Sequence, residues 1–186
     1  MLIFSSIYSD FYKKSLDLNQ QILKEWADHS LFTLRWWVGI LLIVIPLSLW
    51  INYRDKESAD RLQYAGLFVA LVSATLDHVG TFFGWWKYDY EILPIISNYI
   101  PFSFFTLPIT VMFLLQIKPN INPFIKALIF GFFSLIALPI VEWIGIYDPV
   151  KWKYLYSFLI QFVIYLLAHY ISTRNKFEKL CLDRRR

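Results

Sequence analysis

Two acids stand inside long apolar stretches of the sequence, Asp77 and Glu142, and each is followed three residues later by a glycine, Gly80 and Gly145. A carboxylate at the centre of a membrane span costs about 2.5–3.5 kcal/mol even on lenient scales, so such residues face a bundle interior, a partner or a water-filled cavity. Their surroundings echo one another. Asp77-His78-Val79-Gly80 leads to Trp86-Lys87-Tyr88, and Glu142-Trp143-Ile144-Gly145 leads to Trp152-Lys153-Tyr154, with 65 residues between the acids and 66 between the triplets. The lysine stems are long enough to bend from an interface towards a carboxylate, and the glycines permit close helix approach beside it. Asp77, His78, Glu142, Lys87, Lys153, Trp86, Trp152, Tyr88 and Tyr154 therefore form the candidate ligand-binding set. The ligand they suit is a small molecule, a cation or a lipid head group. The same residues also suit a structural task, as buried ion pairs or hydrogen bonds that pin the bundle. The echo reads either as a duplicated two-helix unit, with a site between repeats, or as coincidence among residues favoured at interfaces.

Other chemistries find less support. His78 follows Asp77 directly, which on a helix turns its side chain about 100° away, and no H-E-x-x-H or comparable zinc spacing occurs. No metal and no cofactor are expected. Ser73, Ser103, Ser134 and Ser157 lie in apolar stretches, where a hydroxyl bonds the backbone one turn back. The absence of a glycine-rich phosphate loop excludes an ATPase or a Rossmann enzyme. A membrane enzyme using Asp77 or Glu142 as general acid or base stays open, since burial raises a carboxyl pKa towards neutrality.

The solvent that positions these residues follows from composition. Of 186 residues, 58% are apolar and 17% charged, and 17 Phe, 12 Tyr and 8 Trp make a fifth of the chain. Mean hydropathy is +0.47. A soluble domain of this length has too little interior for that load, so the bilayer is the solvent that fits. The one cysteine, Cys181, cannot form an intrachain disulfide. A net charge of +4, concentrated near the C-terminus, speaks for membrane lipids rather than nucleic acid as the partner.

The expected fold is an all-α polytopic bundle of about five transmembrane helices preceded by an N-terminal amphipathic helix. Residues 1–32 read as that helix, either lying in the membrane interface on Leu16, Leu23, Trp26 and Leu31 or leading, solvated, into the first span. Five apolar runs fill a membrane domain at 33–172: residues 33–51, 62–83, 101–117, 124–146 and 154–171. At 1.5 Å per residue, runs of roughly 17–23 residues cross a core of about 30 Å. Residues 92–100, bounded by Pro94 and Pro101, are too few to cross; they either dip into the interface or cap the bundle. Pro46, Pro108 and Pro139 fall inside spans and are expected to kink them. Residues 173–186 form a basic tail.

Five crossings put the termini on opposite sides. One side then carries Lys13, Lys14, Lys24, Arg35, Lys87, Lys151 and Lys153, the other Arg54, Lys56, Arg61, Lys118, Lys126, Arg174, Lys176, Lys179, Arg184, Arg185 and Arg186. The excess of basic residues belongs in the cytoplasm, which places the N-terminus outside and the C-terminus inside.

Several of these features in order resemble a family of small multi-spanning membrane proteins from spore-forming Gram-positive bacteria whose activity is unassigned. They are Asp77 with Gly80; Gly84-Trp85-Trp86-Lys87-Tyr88 with Leu93-Pro94; Leu107-Pro108; Glu142-Trp143-Ile144-Gly145; and Trp152-Lys153-Tyr154-Leu155-Tyr156-Ser157, covering roughly residues 60–172. The resemblance implies a bacterial plasma membrane. A fainter similarity, at Leu138-Pro139-Ile140-Val141-Glu142-Trp143, is to the membrane cyclase domain of carotenoid pathways. That domain has paired glutamates and a following phenylalanine pair, which this chain lacks. The expected function is binding or transport of a small molecule, cation or lipid head group at an outward-facing acidic site. The alternatives are a structural or accessory membrane protein and a membrane-embedded enzyme acting on a lipid or isoprenoid.

Overall fold

The computed structural model describes residues 2–96 and 98–174, with side chains from residue 8 onward. Helix α1 spans Leu2–His29, α2 Leu34–Tyr53, α3 Ala59–Phe82, α4 Leu107–Gln116, α5 Pro123–Ile144 and α6 Tyr154–Ser172, with two-residue strands β1 (Lys87–Tyr88) and β2 (Tyr147–Asp148). The all-α membrane bundle is the observed architecture. Four of the helices, α2, α3, α5 and α6, are long and apolar enough to cross a membrane.

Local chemistry sets the ends. Thr33 accepts from the Trp36 amide to open α2, Asn122 accepts from the Phe124 amide just before Pro123 opens α5, and Gly145 closes α5 at φ +80° with its N–H on Glu142 O. Arg35, at the start of α2, donates from Nε to Ile144 O at 2.8 Å and lies 4.5 Å from the centre of the Tyr90 ring. A cation thus caps the C-terminal carbonyls of α5, where the helix dipole favours it.

The run at 101–117 departs from a simple span. Pro101–Thr106 is π-helical and continues directly into α4, giving a helix of 16 residues. The Leu107 amide bonds Phe102 O, five residues back. Pro108 supplies the reason: it has no N–H for the carbonyl one turn earlier and its ring crowds that turn, so the backbone widens before α4 resumes. Pro108 therefore marks a junction rather than the middle of a span, whereas Pro46 and Pro139 do lie inside α2 and α5. The joined helix runs antiparallel to α3. Ser103 reaches Asp77, and a β-carbon at Gly66 would fall 2.6 Å from Met112 Sδ. At its far end Gln116 binds Tyr53 O and the Asp55 amide in the α2–α3 turn.

The core lies where α3 packs on α4 and α6, with Leu62, Ala65, Val69, Ile109, Met112, Phe130, Ile164 and Tyr165 buried there. α5 packs along α6, with Gly131 against Phe158, but α3 and α5 meet each other hardly at all. The strands pair antiparallel, Lys87 opposite Asp148 and Tyr88 opposite Tyr147, and so tie the C-terminal ends of α3 and α5 together at one end of the bundle. That confirms that the two acid-bearing helices run the same way.

The two ends of the 92–100 segment pack against the bundle. Trp36 Nε1 donates to Ile92 O, Ile92 lies against Gly39, and Asn98 and Tyr99 are buried. The segment's C-terminal part thus reaches Asp77 through the Tyr99 amide, while Leu93, Ile95 and Ile96 stay exposed. α1 is a single long helix whose side chains from Tyr8 to His29 are exposed, except the half-buried Trp26, which donates from Nε1 to Glu91 O. Of the basic tail, residues 175–186, Cys181 among them, lie outside the described residues.

Candidate functional site

Asp77 is buried, and its carboxylate is enclosed by four donors. Oδ1 accepts from Trp86 Nε1 at 2.9 Å and from Tyr88 OH at 2.8 Å, and Oδ2 accepts from the Tyr99 amide at 2.7 Å and Ser103 Oγ at 3.1 Å. A carboxylate has about four lone-pair directions, so its accepting capacity is used up inside the protein. These donors come from Trp86 just before β1, from β1 itself, from the 92–100 segment and from the π-helical turn, so that one side chain of α3 holds them all. Gly80, one turn along α3, leaves the space that the Trp86 ring fills.

Beside this cage is a cavity of about 120 Å³ between α3, α5, α6 and the π-helical turn. One water needs roughly 10–15 Å³ on such a measure. The walls are mostly apolar, from Leu76, Phe102, Leu107, Phe133, Ala137, Leu138, Ile160 and Ile164. Polar groups punctuate them. Ser134 Oγ bonds Gly131 O on its own helix, as expected, and Ser157 Oγ accepts from Trp152 Nε1. Ser73 Oγ, on α3, and Gln161 Oε1, on α6, are buried lining atoms without a hydrogen-bond partner among the described residues.

Of the residues singled out by sequence, Asp77, Trp86, Tyr88 and Trp152 line the cavity. Trp86 and Trp152 meet edge to face, their ring centres 4.7 Å apart, and Tyr154 packs on the same cluster around Trp86, Val141 and Tyr147. The two acids stand in unlike surroundings. Glu142 is exposed, lies outside the cavity lining, and makes no side-chain hydrogen bond or ion pair among the described residues. Helical phase explains this: Ala137, Leu138 and Val141 carry the inward face of α5, and the next position turns about 100° outward. His78 is exposed for the same reason, one step beyond Asp77, with its ring near Phe82. Lys87 pairs with Asp89 at 2.8 Å and Asp148 at 3.4 Å rather than with a buried acid, and Lys153 is exposed. Among the described residues Asp77 is held by neutral donors and by no ion pair.

Sequence reasoning does not single out Tyr99, Tyr147 or Gln161, and it reads Ser73 and Ser103 only as backbone-bonding hydroxyls. The Tyr99 contribution is a backbone N–H, which carries no side-chain signature. Burial and the Asp77 carboxylate push the Tyr88 hydroxyl well above its usual range, and burial likewise raises Tyr99 and Tyr147, so all three hydroxyls stay protonated and Tyr88 keeps the proton it donates to Asp77.

Glu91, in the loop after β1, is a further titrating group. Burial, with a smaller contribution from the Asp77 charge, raises its pKa from 4.5 to about 7. Below the unfolded value of 4.5 the carboxyl is neutral in folded and unfolded chains alike. Above it the unfolded chain releases a proton that the folded chain keeps, so stability falls as pH rises to about 7 and levels off beyond. Wild-type protein in detergent is expected to melt at a lower temperature near pH 8 than near pH 5, and Glu91→Gln to flatten that difference. An unchanged pH profile in the variant would assign the effect to another group.

Compared with models of protein families, with curated proteins and with solved structures, the chain finds no match in any of the three.

Proposed function

We propose that this membrane protein binds a small, largely apolar molecule inside its helix bundle, in the cavity beside Asp77. The observation that carries the reading is the pair of unpartnered polar atoms, Ser73 Oγ and Gln161 Oε1, set in mostly apolar walls where the hydroxyls of Tyr88, Ser103, Ser134 and Ser157 and the Asp77 carboxylate are already hydrogen-bonded. Buried polar atoms are nearly always hydrogen-bonded, and leaving one unpaired costs about 1–3 kcal/mol. Two of them lining one apolar cavity suit a ligand that brings a polar group among them. Asp77, its oxygens already occupied, shapes a wall and holds the surrounding segments in place; the geometry disfavours a cation at paired acids. The distribution of basic residues supports an outward-facing Asp77 end with the C-terminus in the cytoplasm, and the family resemblance supports a bacterial plasma membrane.

A photoactivatable alkyl diazirine added to the protein in lipid nanodiscs tests the reading. Peptide mass spectrometry is expected to find the probe on cavity residues Ser73, Ala137 and Ile164, as well as on the lipid-facing Ile136 and Leu159, which are 65% and 52% exposed. Ala137→Phe should abolish the first group of adducts and preserve the second. Labelling confined to lipid-facing residues in the wild type would overturn the proposal.

A further inference from the structure

Among the cavity-lining residues, all within the described part of the chain, Leu76 and Phe133 alone are exposed, at 37% and 42%. One belongs to α3 and the other to α5, the two helices that share α6 as a neighbour and scarcely touch each other. Leu76 lies six residues before the end of α3 at Phe82, and Phe133 eleven before the end of α5 at Ile144. At 1.5 Å per residue they sit about 9 Å and about 16 Å below the strand end of the bundle, within the hydrocarbon layer. The outer surface of α5 around the gap is Ile129, Phe132, Ile136 and Ile140, all exposed and apolar. An opening so placed faces lipid tails.

The interior restricts the head group. No Lys, Arg or His lines the cavity among the described residues, and the charge present is that of Asp77, so an anionic head finds repulsion and no counter-ion. The four donors already on the Asp77 oxygens leave a cation no direct contact with the carboxylate. What remains is Ser73 Oγ, which donates or accepts, and Gln161 Oε1, which accepts. Their complement is an uncharged group that carries a donor. A volume of about 120 Å³ is small beside the roughly 300–1,000 Å³ of pockets that enclose whole drug-sized ligands. It holds a head and the start of one chain, with the rest of the chain left in the bilayer.

Resting on the intramembrane-binding reading above, we infer that the ligand is a single-chain amphiphile with a neutral hydroxyl or amide head, which enters sideways from the bilayer between Leu76 and Phe133. Its head hydrogen-bonds Ser73 and Gln161, and its chain leaves through the α3–α5 gap.

The test uses full-length protein in nanodiscs, with Cys181→Ser as background, and a long-chain alcohol carrying a diazirine near its hydroxyl. Ser73 and Ala137 are expected to be labelled, and unlabelled alcohol of the same length to compete at about tenfold lower concentration than the matching alkanoate or alkylamine. A Leu76→Cys/Phe133→Cys pair bridged by a short bis-methanethiosulfonate should suppress cavity labelling about tenfold or more, and reduction should restore it. Equal competition by the three head groups would overturn the neutral-head assignment. Undiminished cavity labelling in the bridged protein would overturn lateral entry while leaving intramembrane binding intact. No cavity labelling by either this alcohol or the plain alkyl probe would defeat the binding reading itself.

Discussion

Asp77→Asn is expected to destabilise the protein by about 3–5 kcal/mol, more than any other single substitution of equal size in the bundle. The amide keeps one acceptor oxygen but presents an NH2 group to the other pair of donors, either Trp86 with Tyr88 or Tyr99 with Ser103. Two hydrogen bonds to a charged acceptor are lost, each worth about 1.5–3 kcal/mol; the hydroxyl of the pair, Tyr88 or Ser103, can turn to accept from the new amide, but the N–H, of Trp86 or Tyr99, is left buried and opposed by another donor. Glu142→Gln, the same chemical change at an exposed site, is expected to shift stability by less than about 0.5 kcal/mol. Reversible unfolding of the purified variants in mixed micelles separates the two. Comparable losses at both positions would mean that the acids act together after all, and a silent Asp77→Asn would mean that the four donors do not stabilise the fold.

Gly80→Ala should be nearly as damaging, about 2–4 kcal/mol, although helix propensity alone favours alanine by about 1 kcal/mol. The added β-carbon would overlap the Trp86 ring. Overpacking of this kind costs about 1–3 kcal/mol, and moving the indole also stretches its hydrogen bond to Asp77. Because propensity and packing predict opposite signs, the direction of the shift decides between them. In a Trp86→Ala background the same glycine substitution is expected to become neutral or stabilising, an interaction that a double-mutant cycle measures directly. Equal effects in both backgrounds would place the strain somewhere other than the indole.

The helices were legible because their apolar runs are long and their ends carry ordinary signals, such as Thr33, Asn122 with Pro123, and Gly145. Asp77 was legible because a buried carboxylate is too costly to be incidental. Glu142 misled because the same cost vanishes once one step of helical phase turns the side chain outward. The repeated Trp-Lys-Tyr triplets do meet, but in unlike places: Lys87 and Tyr88 form β1, whereas Lys153 precedes α6 and Tyr154 begins it. Lys87 pairs with the surface acid Asp89 rather than with a buried one, and Lys153 is exposed. The π-helical turn needed knowledge of what Pro108 does to the residues before it, and the cavity needed the gap between α3 and α5, which no local pattern encodes.

All four donors to Asp77 follow it in the chain, at 9, 11, 22 and 26 residues. During synthesis at about 5–20 residues per second, the last of them emerges roughly 1–5 seconds after the acid. The carboxylate can therefore acquire its complete set of partners before α5 and α6 have been made. Those later helices supply Phe133, Ser134, Ala137, Leu138, Ile160, Gln161 and Ile164, most of the cavity's far wall. The chain order thus permits biogenesis in two stages, with the costly charge sheltered by residues up to Ser103 and the chamber completed by the helices that follow.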